Sequence, residues 1–384
     1  MTPPGRRRGP EQWTSRWLSA PDKTGKVDVD LRDGAARSVH SLLLAIAVAA
    51  ERCREDAPVQ LRLPGDAVEL DRLRRWDFQS VCELATGRSL LGLVGVPDRA
   101  LFGEVSEPLP PVAVAAGLAD FRSELERDSF FGLTAYVLDE PGALTRMIRS
   151  EWERWRHPLV ARLLRAHPPE VAGDVARVLV HELLANVIQH PRATIAVIGS
   201  SVDAGPDGND RLVISVWDDG ASVIDTLAAV PVDQLRAPGP KGRTAEITDG
   251  FHVDARGWKP AEAVVSAGWT PPDPPEPGDL LLAALLPGIS RKHINDDYPA
   301  VDRPEPVAWE AHTGFGLHAL YRCSVNAFGG SVSVRTADHW LRLRGPTDAE
   351  GGAARYRAEI DRLDHELFGN LISVELPLRV ARPR

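Results

Sequence analysis

The sequence predicts a mixed α/β (α+β) protein, and three observations carry that expectation. Residues 25–105 alternate strand-like and helix-like patterns. A helical stretch at 174–189 is followed by apolar runs at 193–199 and 211–217, with a turn cluster between them. A second helical stretch, 317–328, ends in Gly329-Gly330 and gives way to strand patterns at 331–336, 339–344 and 371–376.

Composition bounds the answer. A chain of 384 residues is long enough for two domains and a core that needs no covalent staples. Hydrophobic residues at 43% and charged residues at 26% exclude a wholly disordered chain. The longest apolar runs, Leu42–Ala50 and Leu280–Leu286, fall far short of the roughly 20 residues of a membrane-spanning helix. Arg6, Arg7 and Arg8 have no apolar stretch behind them, so no secretion signal is predicted. A net charge of −9 argues against general nucleic-acid binding. Cys53, Cys82 and Cys323 are too few and too scattered for a disulfide framework or a zinc site. They are expected as buried thiols in a reducing, cytoplasmic setting.

Taken in order, residues 1–24 are polar and proline-punctuated, and are expected as a loose tail. Val27–Leu31 alternates apolar and charged residues, as a half-buried strand does. Ser38–Arg54 is apolar almost throughout and reads as a core helix. Val59–Leu63 alternates again and stops at Pro64-Gly65. Arg72–Gly87 has helical spacing, with Gly87 where a C-terminal cap belongs. Ser89–Gly95 is a third strand candidate, which completes a small α/β domain over 25–105.

A connecting region, 106–167, follows, with a long helix expected over Ala143–Ala166 and kinked at Pro158. Residues 168–384 form the second domain. Its hairpin, 193–217, precedes a long connection, 221–313, in which Thr270–Gly278 is too rich in proline for regular structure.

Three segments of this second domain carry chemistry together. In the segment His181–His190, on the helix expected over Asp174–Gln189, the residues Glu182, Asn186 and Gln189 are four and three positions apart and share one face. Val180, Leu183, Leu184, Val187 and Ile188 lie on the opposite, apolar face. Zinc is not implied: an HExxH site needs a second histidine at 185, where the chain has Ala185, and His365-Glu366 fails in the same way at Gly369. The second segment, Asp218-Asp219-Gly220, ends a strand. A carboxylate there could accept from an adenine amino group, with Gly220 allowing close approach of the base. The third, Gly314-Phe315-Gly316-Leu317, directly precedes a helix, where free backbone N–H groups can hold phosphate. It is neither a Walker A loop nor a complete GxGxxG fingerprint.

The boxes and their order resemble the ATP-binding domain shared by DNA gyrase B, heat-shock protein 90, sensor histidine kinases and MutL (the GHKL superfamily, or Bergerat fold). The resemblance covers about residues 168–380. It implies a two-layer α/β sandwich with a mixed sheet, and ATP and Mg²⁺ as cofactors. It implies further that Asn186 binds Mg²⁺ between the phosphates and that Glu182 activates the attacking water. Asp218 and Gly220 would then meet adenine, and Gly314, Gly316 and Leu317 would close on the phosphates. The connection 221–313 takes the place of the family's lid. Two departures stand out. Ser222 replaces the last glycine of the usual DxGxG, which implies a weakened or reshaped pocket, and the lid is long enough to hold an insertion. Arg291 and Lys292 are candidates to reach the γ-phosphate, against the plainer reading of a solvated basic pair.

Three branches stay open. An ATP-driven conformational switch fits Glu182 as base and is favoured. An anti-sigma-type protein serine kinase or a histidine-kinase-like signalling protein is the alternative, and in the former case residues 25–105 would match that family's small α/β antagonist partner. His157 lacks the sequence around a histidine kinase's phosphoacceptor. A nucleotide sensor or scaffold without turnover is the third reading, which Ser222 favours and Glu182 disfavours. The expected partners are ATP and a protein or an intramolecular domain, with a homodimer admitted and neither nucleic acid nor membrane implied.

Overall fold

The computed structural model describes residues 24–32, 38–95, 98–99, 132–138, 142–155, 164, 179–189, 193–204, 210–235, 251–256, 262–265, 271–286, 316–347 and 355–378. The expected tail, the turn 205–209, Pro158, Gly314 and the pair Arg291-Lys292 lie outside them. The chain forms two compact units. One holds residues 1–135, 197–217 and 377–384, and the other 136–196 and 218–376.

The first unit begins with a β–α–β element. Strand β1 (Val27–Asp30) pairs in parallel with β2 (Val59–Arg62), Val27 opposite Val59 and Asp30 opposite Arg62. Between them runs helix α1 (Val39–Arg54), apolar on every side and buried at nearly every position from Val39 to Ala50. Such a helix cannot face water on any side and belongs inside. Its start meets the strand segment that begins at Val197. The Val39 N–H donates to Ser201 Oγ at 3.2 Å. A Cβ at Gly199 would overlap Val39 Cγ2 and lie 2.6 Å from Leu133 Cδ2, so the backbones approach closely because this residue has no side chain.

Two sequence expectations change here. The predicted single helix over 72–87 is two helices, α2 (Ala67–Arg75) and α3 (Phe78–Thr86). Asp77 takes a left-handed conformation, φ 53°, and turns the chain between them. Gly87 does cap α3 in the left-handed region, φ 65°. The strand expected over 89–95 is instead the short helix α4 (Leu90–Leu93), and only Val94 bridges to Leu61. Its leucines are spaced for burial in either state, so the pattern could not decide between them.

Strands β3 (Gly132–Val137), β4 (Ile195–Ala204) and β5 (Asp210–Asp218) begin a seven-stranded sheet. In the second unit, helix α5 (Ala143–Trp155) is the described part of the helix expected over 143–166, and Leu164 already lies in a turn. Helix α6 (His181–Gln189) follows a single π turn at Leu179-Val180.

The connection 221–313 proves partly structured. It contains α7 (Val223–Ala228), β6 (Phe251–Arg256), β7 (Glu262–Val265) and α8 (Pro277–Ala284). Pro277-Gly278, expected to be irregular, opens α8, because proline suits the first turn of a helix. Helix α9 (Gly316–Tyr321) passes into a π segment, Arg322–Ala327, before Gly329 ends it at φ 64°.

Two long strands close the chain. The two strands expected at 331–336 and 339–344 are one, β8 (Ser331–Thr347), carried through an irregularity at Ala337, φ 47°. The terminal strand β9 runs from Arg355 to Pro377, far longer than the expected 371–376. Strand order is β3-β4-β5-β9-β6-β7, with β8 also on β9. β6 lies parallel to β9, while β8 pairs with β9, and β7 with β6, in antiparallel fashion. The protein is thus mixed α/β with a mixed sheet. Among the described residues no helix is long and apolar enough to cross a membrane. Cys53, Cys82 and Cys323 are buried.

Candidate functional site

Every described candidate residue falls in the second unit: Glu182, Asn186, Asp218, Gly220, Gly316 and Leu317. Gly314 lies outside the described residues.

Helix α6 buries Leu183, Leu184 and Val187, as its spacing requires. Its polar face is not solvated, however: Glu182 is 8% exposed and Asn186 7%. Asn186 Nδ2 donates to the Glu182 carbonyl at 2.7 Å, one turn back. That leaves Oδ1 as the remaining polar atom of the side chain, a hard oxygen of the kind Mg²⁺ takes. α6 packs against α9, the helix that Gly316 opens and in which Leu317 is buried, and against α5. The helix that carries Glu182 and Asn186 and the helix that Gly316 opens are therefore neighbours. Behind them, the buried Glu151 carboxylate of α5 accepts from Tyr136 Oη at 2.6 Å and Trp155 Nε1 at 3.1 Å.

The two adjacent aspartates divide into separate roles. Asp219 accepts from Thr194 N at 2.6 Å, Thr194 Oγ1 at 2.6 Å and Ile195 N at 2.8 Å. It fastens the end of β5 to the start of β4. Asp218, 1% exposed, accepts at Oδ1 from Gly220 N at 2.9 Å and from Asn370 Nδ2 at 3.2 Å. Asn370 also donates to the Ala221 carbonyl at 2.9 Å. Its Oδ1 accepts from Val223 N at 2.9 Å and Thr336 Oγ1 at 2.7 Å. All four hydrogen-bonding positions of this fully buried carboxamide are used. The Val223 N–H can only donate, so the orientation of the amide is chemically fixed.

Ser222 has a local explanation. Its Oγ accepts from Asp225 N at 2.9 Å and caps α7. A glycine there would forgo that bond.

Asn370, Thr336 and the fastening role of Asp219 were not anticipated from sequence. Asn370 and Thr336 are cross-strand partners that lie more than a hundred residues beyond Asp218. The one local signal was Gly369, a glycine inside a strand, which marks close backbone approach. A Cβ there would overlap the Asp218 carbonyl oxygen, and its φ is 77°.

No cluster of three or more metal-ligating side chains occurs among the described residues. A carboxylate held by two donors at a strand end, a buried carboxamide and acid one helical turn apart, and a neighbouring glycine segment are the available chemistry. No family model, curated protein or solved structure matches the chain.

Proposed function

We propose that the second unit binds ATP with Mg²⁺ in the manner of the GHKL superfamily and hydrolyses it to drive a conformational switch. The observation that carries this reading is the setting of Asp218. A carboxylate at a strand end, buried and oriented by Gly220 N–H and Asn370, suits recognition of an exocyclic amino group. Donors that fix the orientation of a buried carboxylate suit it to a ligand-reading role.

The remaining boxes fit the rest of the nucleotide. Asn186 Oδ1 would hold Mg²⁺. One protein oxygen suffices, because this ion keeps several waters and takes phosphate oxygens for the others. Bound Mg²⁺ would neutralise developing charge on the phosphates. Glu182, sheltered on the same helix, would take the proton of the attacking water. Gly316 and Leu317, against that helix, would place backbone N–H groups near the phosphates. The sandwich of the Bergerat fold agrees with the order of the boxes and with the mixed sheet behind them.

The reading without turnover drew on Ser222. The cap that this serine gives α7 supplies a structural reason for its presence beside the departure from DxGxG.

One incubation with Mg²⁺ and γ-phosphate-labelled ATP tests the proposal. Free phosphate from wild type, absent from Glu182→Ala although that variant still binds ATP, is the expected result. Label transferred to protein would instead make it a kinase. Label remaining on ATP with wild-type affinity intact would make it a nucleotide sensor.

A further inference from the structure

Helix α8 belongs to the connection that the sequence assigned to a lid, yet it is built into the unit. The Glu276 N–H donates to Asp279 Oδ2 at 2.9 Å, and with Pro277 at the first position this fixes its start. Leu280, Leu281 and Leu282 are buried, and the helix packs against both α7 and β8. α7 is the helix that follows Asp218-Asp219-Gly220. α8 therefore stands beside the helix that directly follows the first glycine box.

Its other end reaches the second. Leu285 closes α8 in a helical conformation, and its carbonyl is one of the last four that a helix leaves without internal partners. The imidazole Nδ1 of His318 lies 3.1 Å from that oxygen. A carbonyl can only accept, so Nδ1 carries the proton. The ring is also held from the side: Tyr321, one turn later and buried, meets it edge-on, with centroids 4.9 Å apart and planes at 89°. His318 directly follows Gly316-Leu317.

We infer that His318 is a positioning residue for the second glycine segment, tying it through Leu285 to α8 and so to the first glycine box. The inference rests on the nucleotide reading above. If Gly316 and Leu317 meet the phosphates while Asp218 meets the base, α8 is the strut that sets the distance between the two ends of the ligand. His318 then governs the phosphate-dependent part of affinity and leaves base recognition alone.

The test titrates full-length wild type, His318→Leu and His318→Asn with Mg²⁺-ATP and, separately, with adenosine, which has the base and sugar but no phosphate. His318→Leu is expected to lose affinity for Mg²⁺-ATP about tenfold, at the upper end of what one hydrogen bond contributes, and to keep its affinity for adenosine. His318→Asn keeps an N–H near the place of Nδ1 and should stay close to wild type for both ligands. Equal losses for the two ligands, or an Asn variant as weak as the Leu variant, would overturn the assignment. A reading that needs no variant comes from the nitrogen-15 spectrum of the wild-type imidazole. A proton on Nδ1 is expected, and a ring protonated only at Nε2 overturns the tie. If wild type binds neither ligand, the nucleotide reading fails instead, and the imidazole spectrum still decides whether the tie exists.

Discussion

Asn370 donates its side-chain N–H to the Asp218 carboxylate across 3.2 Å, bringing together residues 152 positions apart in the chain. The same carboxamide serves Ala221, Val223 and Thr336. It therefore locks the whole turn that follows β5, not the carboxylate alone.

Asn370→Leu keeps the approximate volume and removes all four bonds. Val223 N–H can still reach Thr336 Oγ1 at 3.1 Å, but Asp218 loses a donor. A stability loss of about 2 kcal/mol is expected in urea unfolding, from stranding buried polar groups. ATP affinity should fall at least about tenfold, roughly the cost of one misdirected hydrogen bond to a charged group. Wild-type affinity in a calorimetric titration would show that Asp218 needs no such support.

Asp219 should behave differently from its neighbour. Asp219→Ala releases three donors at the start of β4, Thr194 N and Oγ1 and Ile195 N, and should cost about 3 kcal/mol in the same unfolding measurement. Asp218→Asn should cost less stability and remove nucleotide binding. A reversal of that order would mean that the roles of the two acids have been exchanged.

At Gly369 the left-handed backbone and the overlap with the Asp218 carbonyl act together. Gly369→Ala should destabilise by about 1–3 kcal/mol through overpacking and strain. Because the clash falls on the backbone of the acid itself, ATP affinity should drop with it. Thermal unfolding unchanged within error would show that β9 can shift away from β5.

Asp338, beside the irregularity in β8, gives a pH prediction. Burial pushes its carboxyl pKa up, but the Arg362 guanidinium, 2.7 Å away, and His339 outweigh burial and hold it below the ordinary value of 3.8. A depressed folded pKa means that the ionised form stabilises the fold above the unfolded pKa. That contribution is lost as pH falls through the folded value, so the window lies below about pH 4. Carbon-13 titration of the side chain should place its midpoint under 3.8. A midpoint above that value would mean that Arg362 is not engaged in solution.

Much of this architecture was legible in local pattern. The apolar run of α1, the cap at Gly87 and the i to i+4 relation of Glu182 and Asn186 each depend on residues within a turn or two. What escaped depended on distant partners. The start of β9 does alternate, with Ala358 and Ile360 buried between Arg357, Glu359 and Asp361, but the run is short and breaks at Asp361-Arg362, where two polar residues adjoin. It is a strand because β8 and β6 flank it on either side. The break at Asp77 required a left-handed aspartate, which sequence permits but does not dictate. At the site, the one-turn spacing of Glu182 and Asn186 could be read from the sequence. The carboxamide that orients Asp218 could not, because the adjacent Gly369 signals a close backbone approach without saying that residue 218 is what approaches.

The parallel pairing of β6 with the first half of β9, Phe251 opposite Tyr356 and Arg256 opposite Asp361, bears on how this domain could be trimmed or grafted. Excising residues 221–313 to obtain a minimal domain would remove β6 and strip the backbone partners from one side of that stretch. The newly bared edge would be a template for pairing with other chains, so a shortened protein should be prone to aggregate. Residues 221–313 are then less a detachable cassette than an edge cover for the strand with which they pair.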